Sequence, residues 1–304
     1  MKLIFLGTGA GMPSKQRNVS AIALMTPQEL NEIWLFDCGE ATQHQILQTS
    51  LKPRKITKIF ITHMHGDHVF GLPGLLSSRS FLDGTSPLTI YGPTGIQNFV
   101  EASLQASQTH LTYPLSFQEI HEGEIYSNEF LSVHSEQLTH GVTSYGFKIV
   151  EKDRPGKLLV HKLQEKGIKP GPIFQQIKEN EVTITEDGEK LYRSDFVGPN
   201  QKGRIICIMG DTKFPERATS FVQSADVLVH EATFSHKHKD LAEKYNHTTA
   251  KEAALLAKNA KVKQLILTHI SSRYQQEELI DLKREAKEIF PQSFIAKDFY
   301  EYDV

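Results

Sequence analysis

The chain has 304 residues, 39% of them hydrophobic and 23% charged, with a formal net charge of −2 and 14 histidines. This composition excludes a largely disordered chain, and the length allows one large domain or two ordinary ones. The near-neutral charge excludes a global pull on nucleic acid, so such a ligand would need local basic patches. Only Cys38 and Cys207 are present, each in an apolar run. They read as small buried residues rather than a disulfide framework, which fits a reducing compartment. The N-terminal apolar run is too short for a signal peptide, and no stretch is long enough to span a bilayer. A soluble cytoplasmic protein is expected.

Residues 3–6 read as a first strand, followed by Gly7-Thr8-Gly9-Ala10-Gly11. That turn lacks the Gly-Lys-Ser/Thr closure of a phosphate loop and the G-x-G-x-x-G spacing of a dinucleotide site. A tight backbone turn is therefore expected. The polar loop at 13–18 carries Lys15, Arg17 and Asn18, and exposed charges of this kind most often mark solvated surface. Residues 21–25 and 33–36 predict strands, the second closing in Asp37-Cys38-Gly39-Glu40, and 40–47 predicts a helix.

The stretch at 58–68 runs from an apolar, β-branched strand into His63-Met64-His65-Gly66-Asp67-His68. An extended backbone sends His63 and His65 to the same side, Gly66 permits a sharp turn, and Asp67 and His68 are re-aimed by it. Imidazole and carboxylate are ligands for zinc, manganese and iron. One metal fits the first two histidines, and a second fits Asp67 and His68.

Further on, 72–81 predicts a helix, 88–91 a short strand, and Ile96, Phe99, Val100 and Leu104 an amphipathic helix. Strand-like runs follow near Phe117 and at 130–135, and the alternation indicates an α/β class. His140 follows a β-like run. Residues 151–195 show little sustained periodicity and split by charge, with lysines first and glutamates after. A long, weakly patterned segment inside a domain is usually functional or disordered. Apolar strands then end at Asp211, at His230-Glu231-Ala232-Thr233 and at His269. Strand ends converging on one edge are how α/β enzymes build sites. Thr249 and Glu252 fit a capping box, which puts His247 just outside a helix N-terminus, where an anion is favoured. A last helix is expected at about 277–289.

The 63–68 stretch resembles the signature of the metallo-β-lactamase superfamily, which implies a single αβ/βα four-layer sandwich spanning 1–304. With His140, Asp211, His269, the His-Glu-Ala-Thr block and the Pro-x-Lys-x-Arg-Asn loop at 13–18, nearly the whole chain resembles the ribonuclease Z family, short form. One small departure is His247-Thr248-Thr249, where many members read His-Ser-Thr; the histidine and a hydroxyl are kept. The resemblance implies two zinc ions, one held by His63, His65, His140 and Asp211, the other by Asp67, His68, Asp211 and His269. It implies hydrolysis of precursor tRNA after the discriminator base, by a homodimer. It makes 151–195 a flexible arm that grips tRNA, with its Gly-Pro motif at Gly171-Pro172. Lys15, Arg17, Asn18, Gly171, Pro172 and Thr233 become candidate substrate contacts. Asp67 is the expected proton acceptor. His247, held by Glu231, is the best free proton donor, because ligands bind in their deprotonated forms. The alternative is a small-molecule phosphodiesterase or other hydrolase of the same fold.

Overall fold

The structure is a computed structural model describing residues 1–214 and 216–304. It divides into two compact units, Met1–Ile149 with Ile205–Val304, and Val150–Arg204.

The larger unit is built on two seven-stranded sheets. In the first, Ile56–Phe60 lies between Ile33–Phe36 and Leu88–Gly92, parallel to both. In the second, Ile205–Met209, Val227–Glu231 and Gln264–Thr268 run parallel side by side. These strands are near-continuous apolar runs because both of their faces are covered. Side-chain alternation sorts each run into two cores. Along Lys2–Gly7, Leu3 and Phe5 enter the core shared with Trp34, Phe60, Phe147, Ile208 and Val229, between the sheets. Ile4 and Leu6 enter a second core with Ile46, Leu72, Leu76 and Val100 from the covering helices. On the other sheet, Cys207, Leu228 and Leu265 pack under Ala253, Ala257, Leu282 and Ala286. The result is helix, sheet, sheet, helix. Burial pushes both thiols, Cys38 and Cys207, up to about 12, as expected of inert core residues.

Most expected elements are present: helices Thr42–Leu47, Leu72–Phe81, Ile96–Ala106 and Gln276–Ile289, and the capped helix Ala250–Asn259 with both bonds of its box in place. The glycine-rich turn forms the short strand Gly9–Ala10, which pairs in parallel with Ile270–Ser271. The strand Gly123–Ser127 and the helix Lys239–Tyr245 are additions that the sequence pattern does not signal, since both carry mostly exposed, polar residues.

The second unit contains the segment at 151–195. It has helices Val160–Glu165, Pro172–Glu179 and Arg193–Phe196, and a hairpin of Val182–Ile184 with Lys190–Tyr192. Its core is small: Leu163, Ile177, Leu191, Phe196 and Val197. So few apolar positions leave no long-range period for sequence reading to detect.

One close approach shapes the edge where the signature stretch ends. The turn at Cys38-Gly39 clamps the short helix Gly66–Val69: Cys38 N–H donates to His68 O (2.8 Å) and Gly71 N–H donates to Cys38 O (2.9 Å). A Cβ on Gly71 would lie 2.0 Å from Gly39 O, a backbone atom that cannot swing aside. Gly71→Ala is therefore expected to cost about 1–3 kcal/mol, the usual range for overpacking. Urea denaturation checks it, and an unchanged midpoint would contradict the clamp.

Candidate metal centre

Loops following strands of both sheets bring the signature residues together. His63 follows Ile56–Phe60, and Asp67 and His68 sit on the short helix after it. His140 follows Leu131–Leu138, Asp211 follows Ile205–Met209, and His269 follows Gln264–Thr268. Donor atoms of His63, His65 and His140 lie within 4.8 Å of one another, as do those of Asp67, His68 and His269. Asp211 stands between the two groups. Its Oδ2 is 3.7 Å from His63 Nε2, 3.6 Å from His68 Nε2 and 3.3 Å from His269 Nε2.

The outward hydrogen bonds decide which nitrogen of each ring faces inward with a lone pair. Asp37 accepts from the Thr62 hydroxyl (2.9 Å) and from His68 Nδ1 (2.7 Å). A carboxylate only accepts, so His68 carries a proton on Nδ1 and turns its Nε2 inward. The Thr62 hydroxyl has spent its proton on Asp37 and must accept from His63 Nδ1 (3.0 Å). His140 Nδ1 donates to Asn246 O (2.8 Å). The Thr233 hydroxyl donates to Glu231 Oε2 (2.6 Å) and accepts from His269 Nδ1 (2.9 Å). Four imidazoles thus turn their Nε2 atoms toward one another and toward Asp211, with His65 Nδ1 among them at 3.1 Å from His63 Nε2 and 3.3 Å from His140 Nε2. Nitrogens this close to one another and to a carboxylate must share protons or a cation. The donor set fits metal ions, and its nitrogen and carboxylate chemistry suits zinc.

The electrostatics agree. Burial disfavours charge on Asp211, yet His269, His68 and His63 hold its carboxyl well below the usual range. Asp67 is likewise held far down against burial by His269 and His68. Burial also opposes a charged His68, but Asp37 and Asp211 outweigh it and raise its pKa well above normal. Positive charge is demanded at this point, and a proton or a metal can supply it. His63, buried beside His68, is pushed well down.

Outside the donor set, His247 Nδ1 lies 2.9 Å from Glu231 Oε1. Glu231 is completely buried and also accepts from Thr212 N–H (2.9 Å). Burial opposes a charged His247, but the Glu231 carboxylate pushes its pKa up to about 9. His247 therefore carries a proton at neutral pH while its ring borders the site, 5.1 Å from His140 and 5.4 Å from His269 between centroids.

Other candidate residues lie differently. Thr233 faces Glu231 and His269. Lys15 is exposed. Arg17 is turned inward, its Nη1 donating to Thr8 Oγ1 and Ala296 O, both at 2.6 Å. Asn18 N–H donates to Asp298 Oδ2 (2.6 Å) and Asn18 Nδ2 to Glu40 O (2.8 Å). These two residues fasten the loop, and the loop in turn reaches the site, where Gly11 N–H donates to Asp67 Oδ2 (2.8 Å). Gly171 and Pro172 belong to the other unit, where they open the helix Pro172–Glu179. His230, though at a strand end, joins none of the potential metal-binding groups among the described residues. Alternation turns Glu231 to the site instead. Sequence reading missed Asp37, Thr62, Asn246 and Asp298 as supports. Asp37 carried a usable signal, a carboxylate at the end of a strand paired in parallel with the signature strand.

Two layered sheets with a histidine and carboxylate donor set at their shared edge define a metal-dependent hydrolase of the metallo-β-lactamase fold. A metallo-β-lactamase fold protein from Bacillus subtilis shares the fold at a TM-score of 0.68, with 19% identity over 99% of this chain and 98% of that one. Human tRNase Z, short form, superposes with a TM-score of 0.72 at 30% identity, over 100% of this chain and 99% of that one. Ribonuclease Z of Oceanobacillus iheyensis is 56% identical over the full length of both chains, and that of Bacillus cereus (strain G9842) is 55% identical over 100% of this chain and 99% of the relative. The chain belongs to the ribonuclease Z family, and its residues 1–154 also match the family model described as anti-Pycsar protein Apyc1.

Asp37→Asn should weaken the grip on His68 and release the Thr62 hydroxyl from its fixed role. Metal affinity is expected to fall by about 10–100-fold, as for other outer-shell partners of ligating histidines. Competition against a chromogenic chelator measures it, and unaltered affinity would refute the proton assignment.

Proposed function

We propose that this chain is a tRNA 3′-processing endoribonuclease. It hydrolyses the phosphodiester after the discriminator nucleotide of precursor tRNA, leaving a 3′-hydroxyl on the tRNA and a 5′-phosphate on the trailer. The observation carrying this reading is the inward-facing donor set around Asp211 in a chain that matches ribonucleases Z along its full length. His63, His65, His140 and Asp211 would hold one zinc ion, and Asp67, His68, Asp211 and His269 a second. When bound, two such ions supply Lewis-acid polarisation of the phosphate and a nucleophile at neutral pH.

The side chains do the rest. Asp67, its Oδ2 fixed by Gly11 N–H, orients the attacking water and takes its proton. His247 donates a proton to the departing ribose 3′-oxygen, a poor leaving group without one. Glu231 holds the imidazole in place and favours its charged form. Residues 151–195 act as an arm whose lysines meet the RNA backbone, a salt-dependent contribution. The enzyme works as a homodimer in the cytoplasm. No helix among the described residues is long and apolar enough to cross a membrane.

The general-acid assignment separates from simple phosphate binding by choice of leaving group. His247→Ala is expected to slow cleavage of precursor tRNA by about 10²–10⁴-fold, the usual worth of a general acid. Hydrolysis of bis(p-nitrophenyl) phosphate, whose leaving group needs no proton, should fall far less. Equal losses on both substrates would reject the role.

The arm is tested by replacing 151–195 with a short Gly/Ser linker. Binding of precursor tRNA should weaken, and its salt dependence become shallower, while turnover of the small ester persists. If both activities fell together, the segment would be a structural element and not an RNA contact.

A further inference from the structure

We propose that Phe234 and Tyr245, flanked by Arg273 and Lys244, form a stacking platform for the discriminator nucleobase of the substrate. This deepens the function proposed above and rests on it. The platform starts at the proton donor. The Phe234 ring lies 6.1 Å from the His247 ring between centroids, and the Tyr245 ring stacks on Phe234 at 6.5 Å with an interplanar angle of 18°. Phe234 is buried, whereas Tyr245 is 52% exposed. No hydrogen bond engages the Tyr245 hydroxyl among the described residues. Two exposed cations attend the pair: the Arg273 guanidinium is 5.1 Å from the Phe234 centroid, and Lys244 Nζ is 5.4 Å from the Tyr245 centroid. Arg273 Nε also donates to Ser271 Oγ (3.3 Å), on the short strand that follows His269.

The chemistry places a specific occupant here. A general acid must lie within hydrogen-bond reach of the oxygen it protonates. The nucleotide that bears the departing 3′-oxygen therefore sits against His247. That nucleotide is the discriminator, the unpaired residue between the acceptor stem and the trailer. Its base has a π-face to cover, and the aromatic surface next to His247 is Phe234 with Tyr245 stacked outward from it. An open tyrosine face is sequence-tolerant, since every base can stack on it. Arg273 and Lys244 complement the phosphates on either side and reinforce the rings by cation–π attraction. Unpaired RNA is recognised by this combination of stacking and cations.

The test is steady-state cleavage of precursor tRNA by the wild-type enzyme, Tyr245→Ala and Tyr245→Phe, on substrates with an intact or an abasic discriminator nucleotide. Tyr245→Ala is expected to lower kcat/KM by about tenfold or more, the scale of one base–aromatic stack, chiefly through KM. Tyr245→Phe should restore it. The abasic substrate should penalise the wild type by a similar factor and add little to Tyr245→Ala, because both changes remove one contact. Additive penalties would overturn the proposal. Wild-type enzyme that hydrolyses the small ester but leaves every precursor tRNA intact would overturn the proposed function itself. Wild-type cleavage without the Tyr245–base coupling would remove only the platform.

Discussion

The molecule is organised around a fixed set of proton positions. Two carboxylates, Asp37 and Glu231, each use a threonine hydroxyl to pass their demand for a proton to the next group. Asp37 takes the Thr62 proton, so Thr62 must accept from His63; Glu231 takes the Thr233 proton, so Thr233 must accept from His269. Neither chain leaves the imidazole a choice of tautomer. The inward-facing nitrogens are a consequence of the groups that hold the rings from behind. Glu231 has a second use, since its other oxygen engages His247. One buried carboxylate thus fixes the outer proton of His269 through Thr233 and favours the charged form of His247 directly.

The fold explains how such a cluster is held. The donors of one sheet, His63 through His68, and those following strands of the other, His140, Asp211 and His269, meet at one edge of the sandwich. Each side alone is a collection of buried charges and polar rings that desolvation disfavours. A cation held between them would satisfy both sides at once and tie the two sheets together. Because the candidate donors come from strands far apart in sequence, the free energy of such binding would also be free energy of the fold.

Much of this was legible in the sequence because it followed periodic rules. The apolar strands showed as β-branched runs, and the rule that sites gather at strand ends picked out His63, Asp211 and His269. Within Val227–Glu231, alternation turned Glu231 rather than His230 to the site. What stayed hidden depends on contacts between distant segments. Arg17 and Asn18 look like solvent-facing or substrate-facing polar residues until the C-terminal segment is in place, when Ala296 O and Asp298 engage them. Nothing local to position 298 signals that partnership. The segment at 151–195 read as unpatterned because its core needs only a handful of apolar side chains, spread over four short elements.

The supports are more constrained than their residue types suggest. Threonine and valine have nearly the same shape, and at most buried positions the exchange costs chiefly the hydroxyl's hydrogen bonds. At Thr62 and Thr233 it would do something further. The carboxylate would lose a donor, and the imidazole would lose the acceptor that fixes its proton. The ring would then be free to place the proton inward, on the atom a metal requires bare. The Gly11 N–H acts on Asp67 in a related way, giving the carboxylate a donor that carries no charge to compete with a cation. In each case a neutral hydrogen bond sets the orientation and leaves the charge of the site to be balanced from within. Backbone groups, hydroxyls and a carboxylate, rather than lysines or arginines, hold the inward-facing donors: a fixed cation there would satisfy Asp67 and Asp211 permanently and remove the demand for a metal.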